Sequence, residues 1–265
     1  MQAKKFYGQN FITDKNLILK IISLLQNDGE TLVIEIGPGR GALTGELVKQ
    51  FKKVVAIEID KDLEEILKAK ITADNFELII ADVLEIDWSE LLQKYHGQFK
   101  NIVLISNTPY YITSEILFKA FRNSEYLQQA ILMFQKEVAE RVCAELGNSK
   151  YNNLSIVSNF YAKPKYEFTV KKNMFNPVPA VDSAIISLDF TNNHKSEIDD
   201  TEAFIALVRK LFNNRRKTIL NNVKSTLPDH DAAQLLNEVG IVSTLRPENI
   251  SLEEYINLYN CVIKK

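Results

Sequence analysis

This chain is poor in the residues that build metal centres and disulfide scaffolds. Its 265 residues include two cysteines, three histidines and one tryptophan. Cys143 and Cys261 lie far apart and form no metal-type pair, so both read as small core residues and a disulfide framework is not expected. His96, His194 and His230 are scattered at no ligand spacing, so no metal site is expected. No hydrophobic run approaches transmembrane length; Ala130 to Phe134 reads as a short buried strand. No apolar run follows Lys4 and Lys5, so no signal peptide is visible. The expectation is a cytoplasmic protein with no membrane partner, a monomer by default. Net charge is also lacking, at −2. That argues against a partner held by bulk electrostatics and turns attention to charge distribution.

What is present is an ordinary globular composition, 46% hydrophobic, in a chain long enough for one large domain plus one small. There is no internal repeat and no low-complexity segment. Strand and helix patterns alternate over the first two-thirds. Strands are expected at 31–36, 54–59, 76–80, 102–106 and 130–134. Between them, helical spacing joins Leu43, Leu47 and Val48, then Leu63, Ile66, Leu67 and Lys70, then the stretch 116–121, with a further helix through Val138 and Val142. Such alternation implies crossover connections and a mostly parallel sheet covered on both faces. Two more strands, 166–170 and 184–190, are expected to pair antiparallel at one edge. Asn176-Pro177-Val178-Pro179 lies between them and cannot continue a ladder. From about residue 195 the pattern is purely helical: Phe204, Val208, Leu211 and Phe212 share a face, Ile219, Leu220 and Val223 follow, and 232–239 stops at Gly240. Ser251 and Glu254 form a capping-box pattern before the last helix. The expected domains are 1–194 and 195–265.

The stretch Asn107-Thr108-Pro109-Tyr110 follows the strand 102–106. An amide, a proline-fixed turn and an aromatic ring at a strand end can grip the edge and face of a planar base, as enzymes that modify bases must. Upstream, Glu35-Ile36-Gly37-Pro38-Gly39-Arg40-Gly41 closes the first strand. Its glycines permit a sharp turn and close approach to a ligand. The spacing G-x-G-x-G differs from the dinucleotide fingerprint, and Pro38 removes a donor that a pyrophosphate would use. Alone, the loop is a weak signal and reads first as a structural turn. Glu58 ends the second strand roughly 20 residues beyond the first glycine, where a carboxylate can accept from ribose hydroxyls. Asp82 ends the third and can accept from an adenine amine, while the Val83 N–H can donate to a ring nitrogen. Carboxyl ends of successive strands are where open α/β sheets bind ligands. A ribose and an adenine without phosphates suggest S-adenosylmethionine.

With those residues in place, the chain resembles the small-subunit ribosomal RNA adenine dimethyltransferase family over nearly its whole length. The resemblance rests on Phe6-Tyr7-Gly8-Gln9-Asn10-Phe11, the Gly37–Gly41 loop, Val55-Ala56-Ile57-Glu58 and Asn107-Thr108-Pro109-Tyr110-Tyr111-Ile112. It continues in 135–141, Val181-Asp182-Ser183-Ala184 and Asn214-Arg215-Arg216-Lys217-Thr218. It implies a Rossmann-like S-adenosyl-L-methionine-dependent methyltransferase sheet with a small all-helical C-terminal domain. It also implies dimethylation of N6 on two adjacent adenines near the 3′ end of small-subunit rRNA, on the assembling small ribosomal subunit. Cofactor contacts are implied at Asn10, Ile12, Gly37, Glu58, Asp82 and Asn107, with Gly39 and Val83 beside them, and no metal is required. The expected roles are an amide oxygen at Asn107 and a backbone carbonyl at Thr108 as acceptors for the N6 hydrogens, a fixed turn at Pro109 and a stacking ring at Tyr110. The resemblance adds Phe175 as a second wall. Arg215, Arg216 and Lys217 read either as a solvated face or as phosphate contacts.

Two positions depart from the family pattern: Thr108, where leucine or isoleucine is usual, and Asn152, where glycine tends to follow the tyrosine. A large-subunit rRNA methyltransferase of the antibiotic-resistance type shares the site; the 214–218 and 135–141 matches favour the small subunit. Small-molecule methyl transfer would not need the Asn-x-Pro-Tyr loop. A non-enzymatic nucleic-acid-binding relative is disfavoured by the intact Gly37, Glu58, Asp82 and Asn107.

Overall fold

The computed structural model describes residues 11–107 and 110–263. It divides into two compact units, Met1–Ala139 with Pro164–Thr191, and Glu140–Lys163 with Asn192–Lys265. The first unit carries strands β1 (Phe11–Ile12), β2 (Thr31–Ile36), β3 (Lys53–Glu58), β4 (Phe76–Ile80), β5 (Asn101–Ser106), β6 (Gln129–Gln135), β7 (Lys163–Val170), β8 (Phe175–Asn176) and β9 (Ser183–Asp189). Its helices are α1 (Lys15–Ile22), α2 (Thr44–Gln50), α3 (Glu64–Lys70), α4 (Trp88–Tyr95) and α5 (Thr113–Arg122), and α6 (Lys136–Val142) leads into the second unit.

Seven strands form one sheet in the order β4-β3-β2-β5-β6-β9-β7. The pairs β2–β3, β3–β4, β2–β5 and β5–β6 are parallel. All six residues of β2 are buried, which is why this strand reads as a continuous apolar run rather than an alternation. Val33, Val54, Val103, Ile105, Ile131, Met133 and Ile185 pack on one face against Leu17, Ile18, Ile21 and Ile22 of α1 and Leu47 of α2. The period-2 partners Leu32 and Ile34 point the other way and are equally buried. Strands β7 and β9 are neighbours at the sheet edge, as expected, and β9 runs antiparallel to β6. In the first unit, two helices stand where no element is expected: α1, capped by Asp14, and α4, capped by Asp87. Each is only 8 residues long, and neither shows more than a couple of repeats of the 3.6-residue period.

The second unit is helical, with α7 (Asn153–Tyr161), α8 (Thr201–Leu211), α9 (Ile219–Thr226), α10 (Ala232–Glu238) and α11 (Leu252–Ile263). The capping box before α11 is present: Ser251 N donates to Glu254 Oε2 at 2.7 Å and Glu254 N to Ser251 Oγ at 3.2 Å. The division differs from the expected 1–194 and 195–265, because residues 140–163 pack with the C-terminal helices. Phe160 of α7 lies 4.8 Å from Phe204 of α8, centroid to centroid, and the Tyr151 hydroxyl donates to the Ile250 carbonyl at 3.1 Å. Asn152, where the family tends to have glycine, has φ −159 and caps α7 in a reciprocal box with Ser155. An extended backbone there needs no glycine, and asparagine supplies the cap oxygen. Among the described residues, no helix is long and apolar enough to cross a membrane.

Phe160 is fully buried. A Phe160→Ala variant of the full chain should lose about 3–5 kcal/mol in urea unfolding, the usual cost of a cavity that size. A loss below about 1 kcal/mol would show that α7 is not part of that helical core.

Candidate active site

Strand order fixes where a ligand crevice opens. From β2 the chain proceeds outward through β3 and β4 on one side, then returns to place β5 on the other. The two loops leaving β2 and β5 therefore diverge, and the gap between them is the topological switch point. The register sets Ile36 beside both Ile57 and Ser106, so the glycine loop, Glu58 and Asn107 emerge at one level.

The loop after β2 turns through Gly37, Gly39 and Gly41 at φ 69, 58 and 68. These are left-handed values that side chains disfavour. At Gly39 a Cβ would also meet the Phe11 ring at 2.9 Å. Gly37 N donates to the Ile57 carbonyl at 2.9 Å, and Gly39 N to Glu58 Oε2 at 3.1 Å. The other oxygen, Oε1, accepts from Asp60 N at 2.9 Å. Glu58 is thus held by backbone donors on both oxygens and is 5% exposed. Its burial raises its pKa, with those donors opposing. Asp82 follows β4; its Oδ1 accepts from Leu84 N at 2.8 Å. The Val83 carbonyl is pinned by the Trp88 indole N–H at 3.0 Å, which fixes the turn that carries Val83.

Asn107 is half-buried at the end of β5. Tyr110 opens a short turn of helix before α5, and its hydroxyl lies 2.6 Å from Ser183 Oγ. Asn10, Thr108 and Pro109 fall outside the described residues. Ile12 and Phe175 are brought together as register partners of the β1–β8 pair, and both sit inside the core cluster. Phe175 is 4% exposed, so its ring packs against Ile12 and its surroundings rather than offering a free face to a base.

The family model for ribosomal RNA adenine dimethylase matches residues 1–264. A Mycoplasma capricolum protein named ribosomal RNA small subunit methyltransferase A is 55% identical over 99% of this chain and 98% of its own length. The chain belongs to the ribosomal RNA adenine dimethylase family. A relative of the same name from Fusobacterium nucleatum is 41% identical, covering 96% of each chain. A solved dimethyladenosine transferase from Plasmodium falciparum superposes at TM-score 0.83 with 26% identity, over 96% of this chain and 98% of that one. The solved 23S rRNA methyltransferase ErmE, at TM-score 0.74 and 23% identity over 96% of this chain and 100% of that one, shares the fold.

The cofactor of this adenine dimethylase family member is S-adenosyl-L-methionine, and the residues present fit it. The glycine loop turns sharply through three left-handed glycines, and the buried carboxylate of Glu58 stands beside it, bonded to the Gly39 N–H. Glu35, the last acid before the loop, is a charged residue inside the apolar run of β2. It is 1% exposed, and neither carboxyl oxygen has a well-formed hydrogen bond; the Thr44 hydroxyl beside it is equally unpaired. Burial, with the nearby Glu58 charge adding and Thr44 opposing, pushes its carboxyl up to about 7.

In the helical unit, Arg215, Arg216 and Lys217 are exposed on the turn between α8 and α9. That turn is held from within: the buried Asn222 amide nitrogen lies 3.2, 3.4 and 3.2 Å from the carbonyls of Asn214, Lys217 and Thr218. Arg215 Nε sits 3.9 Å from Glu248 Oε2, an oxygen that is buried with no hydrogen-bond partner. Among the described residues, neither Arg216 nor Lys217 pairs with a carboxylate.

Because the Glu35 carboxyl titrates higher folded than its ordinary 4.5, its contribution favours the fold below that value and is lost as pH rises through about 7. The native state there holds a proton the unfolded chain has released. Relative to Glu35→Gln, the parent should lose on the order of 3 kcal/mol between acid and neutral pH, measured by urea unfolding across the range. Parallel curves for the two proteins would count against a neutral buried Glu35.

Proposed function

We propose that this protein transfers methyl groups to N6 of two adjacent adenines near the 3′ end of small-subunit rRNA, in the cytoplasm, as the small subunit assembles. The observation that carries this reading is the half-buried Asn107 and Tyr110 at the end of β5, across the switch point from the glycine loop and Glu58. The 55% identity to a protein named for the small subunit supports that substrate over the large one. The reading takes the enzyme as a monomer that needs no metal.

When bound, the cofactor supplies a methyl group on a sulfonium, which leaves as a neutral thioether. Glu58 would hold the ribose hydroxyls. Asp82 and the Val83 N–H would hold the adenine edge, with Gly37, Gly39, Ile12 and Asn10 lining the cradle. Adenine N6 is a poor nucleophile because its lone pair is delocalised into the ring. Asn107 Oδ1 and the Thr108 carbonyl would each hold one N6 hydrogen, drawing the amine toward the geometry of in-line attack. The N6 proton departs to solvent. Pro109 would set the turn and Tyr110 would stack on the base. Phe175, buried against Ile12, supports the site as packing. Most of the rate enhancement would then come from positioning.

The helical unit would hold RNA through phosphate contacts that position without reading sequence. Among the described residues Arg216 and Lys217 pair with no carboxylate, whereas Arg215 has Glu248 Oε2 at 3.9 Å.

Asn107→Ala should lower methyl transfer to under-methylated small subunits by at least about a hundredfold, with modified nucleotides mapped on the parent reaction. A parental rate would overturn the assignment. Arg216→Gln with Lys217→Gln should flatten the salt dependence of RNA binding by about 1.5 in log–log slope. An unchanged slope would return both residues to the fold.

A further inference from the structure

Ser183 is fully buried, yet it carries a hydroxyl, and a buried hydroxyl needs a partner. That partner is the Tyr110 phenol at 2.6 Å, a short O–H···O contact. The two residues are 73 apart in sequence. Topology brings them together. Strand β9 runs antiparallel to β6, with Ser183 opposite Gln135, so its first residue lies where the parallel strands end. The Lys136 N–H donates to the Asp182 carbonyl at 3.0 Å and locks that start in place. The Asp182 carboxylate is turned elsewhere, to Lys171 Nζ at 3.0 Å and Lys172 N at 3.0 Å.

A tyrosine ring hinges on its own Cβ. Held only there, it turns about two side-chain torsions. Held also at the phenol oxygen, its long axis is fixed at both ends, and the preference of a phenolic hydrogen bond for the ring plane restrains rotation about that axis; together these define a plane. Stacking needs such a plane, because a tilted ring tilts the base and moves N6 off the line of attack. Half-burial and the neighbouring Asp182 charge both raise the phenol's pKa, keeping it neutral.

We propose that Ser183 is a positioning residue for methyl transfer, acting through the Tyr110 hydroxyl to fix the plane on which the target base stacks. The proposal rests on the functional reading above and deepens it. It gives the Tyr110 hydroxyl a task that stacking alone does not require: a ring that merely stacks would work as well as phenylalanine.

The test is a double-mutant cycle in the full chain, with under-methylated small subunits as substrate. Ser183→Ala and Tyr110→Phe should each lower kcat by roughly tenfold to a hundredfold, and by similar factors. Cofactor affinity, read by calorimetry with S-adenosylmethionine, should stay at the parent value. The Ser183→Ala/Tyr110→Phe double variant should be no slower than either single one. Ser183→Thr, which keeps the hydroxyl, should recover part of the rate. Multiplying losses in the double variant, or a parental rate in Tyr110→Phe, would overturn the proposal. If Ser183→Ala fails to fold, Tyr110→Phe decides alone: a fall in kcat at unchanged cofactor affinity supports the tether, and a parental rate removes it. A parent protein that methylates no adenine would instead sink the functional reading, so the two failures are distinguishable.

Discussion

Strand β2 is paired on both sides, with β3 and with β5, and the arrangement of the site follows from that double pairing. Each flank adds a parallel neighbour, and a parallel neighbour requires a crossover that carries the chain over a face of the sheet. The faces are thereby covered, and β2 is buried along its whole length. Once both faces and both edges of the central strand are occupied, a ligand can approach only from the strand ends. The carboxyl end between β2 and β5 is where the outgoing loops part. Gly37, Gly39 and Gly41 turn the chain there at backbone angles other residues would resist.

The same burial makes the acids of this region costly. Glu58 is held by backbone donors on both of its oxygens. Glu35, one strand over, has only Thr44 to oppose its desolvation, and its carboxyl is pushed up to about 7. Two carboxyls close together in a low-dielectric interior are driven apart in their titration, and the better-solvated one keeps the charge. In the helical unit the buried Glu248 oxygen is answered by a cation instead, Arg215. One basic residue of the exposed turn thus has a carboxylate neighbour, while among the described residues the next two have none.

Strand β9 departs from the parallel rule, and that departure furnishes the site. An antiparallel strand begins where its parallel neighbours end. It therefore delivers a residue from late in the chain, Ser183, to the edge where Tyr110 stands. A further parallel strand would have delivered its own last residue and the start of another loop.

Much of the fold was legible because it is local. The apolar runs of β2 through β6, the glycine turn, the helical C-terminal pattern and the Ser251–Glu254 capping box each depend on residues a few positions apart. The acids at the strand ends were legible too, since a strand end is visible in sequence and the ligand edge follows from the sheet type. Residues meeting across long separations were not legible. Phe160 against Phe204 moved residues 140–163 into the helical unit; Phe175 packed beside Ile12 rather than facing outward; Glu248 claimed Arg215; Ser183 met Tyr110. Sequence by itself determined which segments become strands and helices and where the glycines, acids and Asn107 fall along them, because backbone preference and periodicity act within a few residues. Only the tertiary structure decided which of those residues are free to act, because burial and partnership are set by strand order and helix packing, which join positions that nothing local connects.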